Sequence, residues 1–153
     1  MRPRTAVAPV AVAGAVLAGT LPGCASRGDT AGLNGPTWQI VGIYTDPDNT
    51  ADLPADAAGR ATLAFGGTSM HGQTGCAPLQ AKVSSQGDSL RLDDVRIDNP
   101  GDCKGGARHV HDQLAGLFTS GAEFDVRHFG DAEAVLTRRG GEVNAPAIRV
   151  MKP

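Results

Sequence analysis

The chain has 153 residues, and its 14 Lys and Arg stand against 16 Asp and Glu for a formal charge of −2. That balance argues against nucleic acid as a partner, because a mildly acidic chain without a basic stripe is repelled by phosphate. The length accommodates one domain rather than several.

Met1-Arg2-Pro3-Arg4 places two positive charges ahead of an uncharged run, residues 5–20, made mostly of Ala, Val, Gly and Leu. This is the layout of a signal peptide. The run is shorter than the roughly 20 apolar residues needed to span a bilayer, so a permanent membrane helix is not expected. At its end Leu21-Pro22-Gly23-Cys24 resembles the bacterial lipobox, in which a Leu, two mostly small residues and a Cys direct lipidation and cleavage before the Cys; Pro22 departs from that pattern. The resemblance implies removal of residues 1–23 and a lipid anchor on Cys24 at the extracytoplasmic face of the cell membrane. Ordinary secretion, with Cys24 left as a free thiol, is the alternative. The remaining 130 residues would carry 12 basic and 16 acidic side chains, a charge of −4, and only 25 Leu, Ile, Val and Phe. A core that thin would benefit from a covalent brace.

Cys76 and Cys103 remain as an even pair in a chain expected in an oxidising compartment, so a disulfide is expected. With 27 residues of separation in sequence, loop closure is worth roughly 3.5 kcal/mol in the chain-entropy model. The sharper alternative is a zinc site drawing on His71, Cys76, Cys103, His109 and His111, with His71 and His109 as its foremost candidates. Its spacing is unfavourable. No Cys-x-x-Cys occurs, and His109 and His111 fall two apart in a helical stretch, pointing about 200° apart. No cofactor is expected.

In chain order, residues 24–36 are small, polar and rich in turn formers, and are expected to form a flexible tether of roughly 20 Å r.m.s. reach. The domain should occupy residues 37–153. Thr37–Tyr44, TWQIVGIY, has the β-branched and aromatic density of a strand, with Trp38 as a core anchor. Residues 45–59 hold two Pro and four Asp and are expected to be a solvated loop. Residues 61–65 and 68–74 form a hairpin about Gly66-Gly67. Leu79, Ala81 and Val83 alternate, as do Leu90 and Leu92, and the step from Leu92 to Val95 calls for a β-bulge near Asp93-Asp94. That acidic pair has no evident partner for acid/base chemistry. Val110, Leu114, Leu117 and Phe118 share one helical face, with Gly121 marking the helix exit. Strands are then expected at 123–129, 133–138 and 147–151. The fold class is α+β: a mainly antiparallel, curled sheet of seven or eight strands, with one amphipathic helix against a face or plugging an end.

This order of pieces resembles the META-domain (HslJ-like) family over the whole domain. The correspondence runs through Thr37-Trp38-Gln39-Ile40, the strand ending at Phe65, the stretch Gly72-Gln73-Thr74-Gly75-Cys76, Cys103 ahead of a helix, and the closing strands. Many members have Asn after the first Cys where this chain has Ala77, and a role of that Asn does not carry over. The resemblance implies an envelope domain without established catalysis.

The chain has no Gly-x-Ser-x-Gly elbow, phosphate loop or His-Glu-x-x-His, so the familiar nucleophile, nucleotide and zinc-hydrolase signatures are absent. The expected function is therefore non-enzymatic: an anchored envelope lipoprotein that binds an envelope protein or supports envelope integrity under stress. A small-ligand or metal carrier built on the hairpin around His71 and the helix start near His109 is the alternative. An envelope hydrolase is the third reading, with His71 and His128 facing one cleft as its bases.

Overall fold

The computed structural model describes residues 30–140 and 143–153. The expected signal peptide, Cys24 and the first part of the tether lie outside the described residues. Eight strands, β1 (Thr37–Tyr44), β2 (Ala61–Gly66), β3 (Ser69–Thr74), β4 (Pro78–Gln86), β5 (Ser89–Ile97), β6 (Glu123–His128), β7 (Glu133–Arg138) and β8 (Ala147–Met151), pair antiparallel with their chain neighbours. β8 then pairs with β1, through Ile40 with Val150 and Ile43 with Ile148, so the sheet closes into a barrel rather than remaining curled.

The alternation of side chains fills the closed ring. Trp38, Ile40, Leu63, Phe65, Met70, Leu79, Val83, Leu90, Leu92, Phe124, Val126, Leu136, Ile148 and Val150 are all buried in one hydrophobic cluster, whereas their strand neighbours face out. An eight-stranded barrel is just wide enough for side chains of this size to fill. Between β4 and β5 the register shifts: Lys82 opposes Asp94 while Val83 opposes Leu92, leaving Asp93 as the extra residue of the expected bulge. Beyond it Val95 and Ile97 are only partly buried.

The helix α1 (Gly105–Leu117) bridges β5 and β6 and covers one end of the barrel, burying Ala107, Val110, His111, Leu114 and Leu117. It has no acidic residue in its first turn, no basic residue in its last and no side-chain cap of its own, although four N–H and four C=O groups at its ends need partners. Other elements supply three of these partners. Asp56, from the loop after β1, accepts from Gly106 N at 2.8 Å. Arg138 at the end of β7 donates to the carbonyls of Gly116 and Leu117 at 3.1 and 2.8 Å. Each contributes charge of the sign the helix dipole favours at that end. The helix ends at Leu117, with Phe118 as its cap, and Gly121 lies in the following turn at φ +86° rather than at the exit.

The loop over residues 45–60 is less solvated than its composition suggests, since Ala57 is fully buried and Leu53 packs on the core. The larger correction concerns the tether. From Thr30 onward the chain is part of the domain: Leu33 is fully buried, Thr30 Oγ1 donates to the Gly67 carbonyl at 2.9 Å, and Gly35 N donates to Phe65 O at 3.3 Å. Trp38 Nε1 donates to Leu33 O at 2.8 Å, and His128 Nε2 donates to Ala31 O at 2.8 Å. Residues 30–35 thus close the barrel end opposite the helix. Among the described residues no helix is long and apolar enough to cross a membrane.

Candidate functional site

Cys76 and Cys103 are joined in a disulfide, with Cα atoms 5.8 Å apart. The bond ties the β3–β4 turn to the entry of α1, and it removes both thiols from the set of metal ligands.

The stretch before Cys76 has a physical reason at nearly every position. A Cβ on Gly72 would land on the Thr62 carbonyl of the neighbouring strand, so only glycine fits. Gly75 has φ +97°, and a Cβ there would sit 3.5 Å from the Ala107 carbonyl of α1. Thr74, fully buried, uses its hydroxyl completely: it accepts from Ala77 N at 3.1 Å and donates to Ala77 O at 3.0 Å. Its one proton is thereby committed, so the 2.7 Å contact with His111 is a donation from His111 Nδ1. The buried His111 is therefore a member of the core's polar network, away from His109, which is exposed on the helix. Thr74→Val should leave two buried N–H groups without an acceptor and lower stability by about 1–3 kcal/mol. Thr74→Ser, which keeps the hydroxyl, should lose much less, and chemical denaturation of both variants measures the difference.

The remaining histidines do not converge. His71 lies on the outer face of β3, in a shallow depression of about 340 Å³ with Ser69, Gln80, Lys82, Asp94 and Arg96. His109 borders a separate depression of about 340 Å³ between α1 and the loop after β1, with Asp52 and Gln113 among its other walls. His128 is held by Ala31 and packs beside Trp38, ring centroids 6.2 Å apart, at the end away from α1. The expected shared cleft for His71 and His128 is thus corrected: strands alternate their side chains across the wall, and the two histidines sit three strands apart around the ring. Among the described residues no three His, Cys, Asp or Glu side chains form a group suited to a metal ion.

The acidic pair in the bulge also divides. Asp93 joins Arg91 at 3.2 Å, whereas Asp94 faces the His71 depression. Ser69, His71 and Asp94 share this depression, but the Ser69 hydroxyl donates to Gly66 O at 3.1 Å and is not directed to the imidazole. A serine nucleophile needs that second contact. Elsewhere on the outer wall charged side chains pair across strands: Glu123 accepts from Arg91 at 2.7 Å, Asp125 from Arg139 at 2.7 Å and Glu133 from Arg149 at 2.7 Å. Donating to these carboxylates raises the pKa of each arginine above its ordinary value. Exposed pairs of this kind add little to stability.

A depression of about 510 Å³ was not anticipated. It opens at the helix-covered end, where Tyr44, Pro47, Val135, Ala145 and Ala147 provide apolar walls with Asp46 and Asn49 at their edge. Tyr44 is 44% exposed. Tyr44 ends the strand expected from its β-branched and aromatic density, and periodicity alone does not distinguish a core aromatic from one at the rim.

No protein-family model matches the chain, and no curated protein does. Among solved structures the chain is similar to the NMR structure of a protein from Burkholderia xenovorans, at 12% sequence identity over 81% of this chain and 86% of that one, with a TM-score of 0.62. At that identity the likeness carries the fold alone, a helix-bearing antiparallel barrel.

Proposed function

We propose that the chain is a lipid-anchored envelope protein whose META-like barrel acts without catalysis, binding a partner through its outer surface or reinforcing the envelope under stress. The observation that carries this reading is the barrel's interior, which is occupied by core side chains and covered at both ends, by α1 and by residues 30–35. Barrels that carry ligands keep an internal cavity open at one mouth. Recognition by this chain is left to its outer wall and rims, and the Tyr44 depression is the surface best suited to an envelope protein partner. The disulfide agrees with an oxidising, extracytoplasmic location. The carrier alternative loses Cys76 and Cys103 as ligands, and its remaining candidates, His71 and His109, lie in different depressions.

Anchoring is tested by Cys24→Ala. A diacyl thioether supplies the two chains that stable attachment needs. Cys24→Ala should therefore appear in the medium or persist as an uncleaved precursor, with the domain still folded. Fractionation and intact mass decide this. Membrane retention of Cys24→Ala at the normal mature size would show that a different element holds the chain.

A further inference from the structure

Resting on the Cys24 anchor, we propose that the barrel end closed by residues 30–35 is the membrane-facing end, and that its rim, led by Phe129, sits in the lipid headgroup layer. Thr30 is fixed to the β2–β3 turn by its hydrogen bond to Gly67 O. Only Ala25 to Asp29 separate it from Cys24, and six residue steps span at most about 21 Å however they run. A lipid on Cys24 consequently holds this end of the barrel near the bilayer. The opposite end lies further by the length of the strands and the thickness of α1, about 10 Å for the helix alone.

The two ends differ in the way this orientation requires. At the helix end, residues 45–60 carry Asp46, Asp48, Asp52 and Asp56 against Arg60, and residues 98–122 carry Asp98, Asp102 and Asp112 against Lys104 and Arg108, an excess of four negative charges. At the other end, the connections 67–68, 87–88 and 129–132 and residues 152–153 carry Asp88 and Asp131 against Lys152, an excess of one. At the strand ends that flank these connections, Arg127 of β6 and Glu133 of β7 cancel. The acidity of the domain thus points away from an anionic headgroup layer, which repels it.

The near end also presents what an interface accepts. Phe129 is 52% exposed, and the Arg127 guanidinium lies over its ring, 5.8 Å from the centroid. An aromatic ring beside a cation matches the boundary between acyl chains and headgroups. Lys152 stands at the same rim, 5.2 Å from the Trp38 ring.

The test places a tryptophan at each end of the full, lipid-modified chain, as Phe129→Trp and Tyr44→Trp, in vesicles containing phosphatidylglycerol with or without brominated acyl chains. Both positions are exposed, so folding is undisturbed, and the buried Trp38 gives a common background. The emission added by Phe129→Trp should shift to the blue and be quenched by the brominated lipid, while that added by Tyr44→Trp should do neither. With the lipid mass confirmed on Cys24, an unquenched Phe129→Trp or a quenched Tyr44→Trp overturns the orientation and leaves the anchor standing. A mature chain without that lipid mass overturns the anchor and the orientation together.

Discussion

Cys76→Ala and Cys103→Ala should each lower stability by about 2–5 kcal/mol, and the double variant should cost little more than either single one. The two sulfurs belong to one bond, and one bond is lost only once. The bond closes a loop with a sequence separation of 27 that contains β4 and β5, so its loss frees two strands of the barrel from the helix entry at the same time. A few kcal/mol is comparable to the whole net stability of a domain of this size. Urea denaturation with and without reductant measures it: the oxidised wild type should unfold at clearly higher urea than the reduced protein, and the variants should be indifferent to reductant. Additive losses in the two single variants would show that the cysteines contribute as separate side chains.

Trp38→Ala should cost about 3–5 kcal/mol, in the range for removing a large buried aromatic. Trp38 is 1% exposed and stands at the start of β1, where its ring meets the core and its Nε1 holds the Leu33 carbonyl. Trp38→Phe separates these contributions. It preserves most of the ring but leaves the Leu33 carbonyl without its donor, at a cost of about 1–3 kcal/mol. If residues 30–35 are an integral cover, amide exchange at Leu33 and Gly35 should accelerate in Trp38→Phe before exchange in β4 and β5 does. Unchanged protection at Leu33 would mean that the cover is held by Thr30 and His128 alone.

The strands and the helix were legible because their signals are local. Alternation at Leu79, Ala81 and Val83, the broken period between Leu92 and Val95, and the i, i+4 spacing of Val110 and Leu114 each reside within a few residues. Barrel closure was not legible, since a curled open sheet and a closed ring have the same inside and outside pattern along every strand. Closure is decided by the pairing of β1 with β8, at opposite ends of the chain. The same applies to the caps of α1, supplied by Asp56 and Arg138 from other elements. Leu33 was misjudged for a related reason: a single apolar residue among turn formers has no period to reveal it, and only Trp38 and the barrel mouth make it core. Among the site residues, the Cys76 and Cys103 pairing was legible from their number and expected compartment. The separation of His71 from His128 was not, because it depends on how many strands intervene around the ring.

The pairing of β1 with β8 also sets an order in time. Apart from that pairing, each strand meets the next one along the chain, and such near-neighbour contacts form fast, whereas joining segments from the two ends requires closing a loop of almost the entire domain. Ile40 and Ile43 have no β8 partners until Val150 and Ile148 have been made. A chain synthesised from its N-terminus therefore stays an open ribbon until nearly all of it has been made, with an unsatisfied edge on β1, and completes its last ladder only when the final strand arrives. Ring closure by β8 is thus the event that separates an open ribbon from a finished barrel.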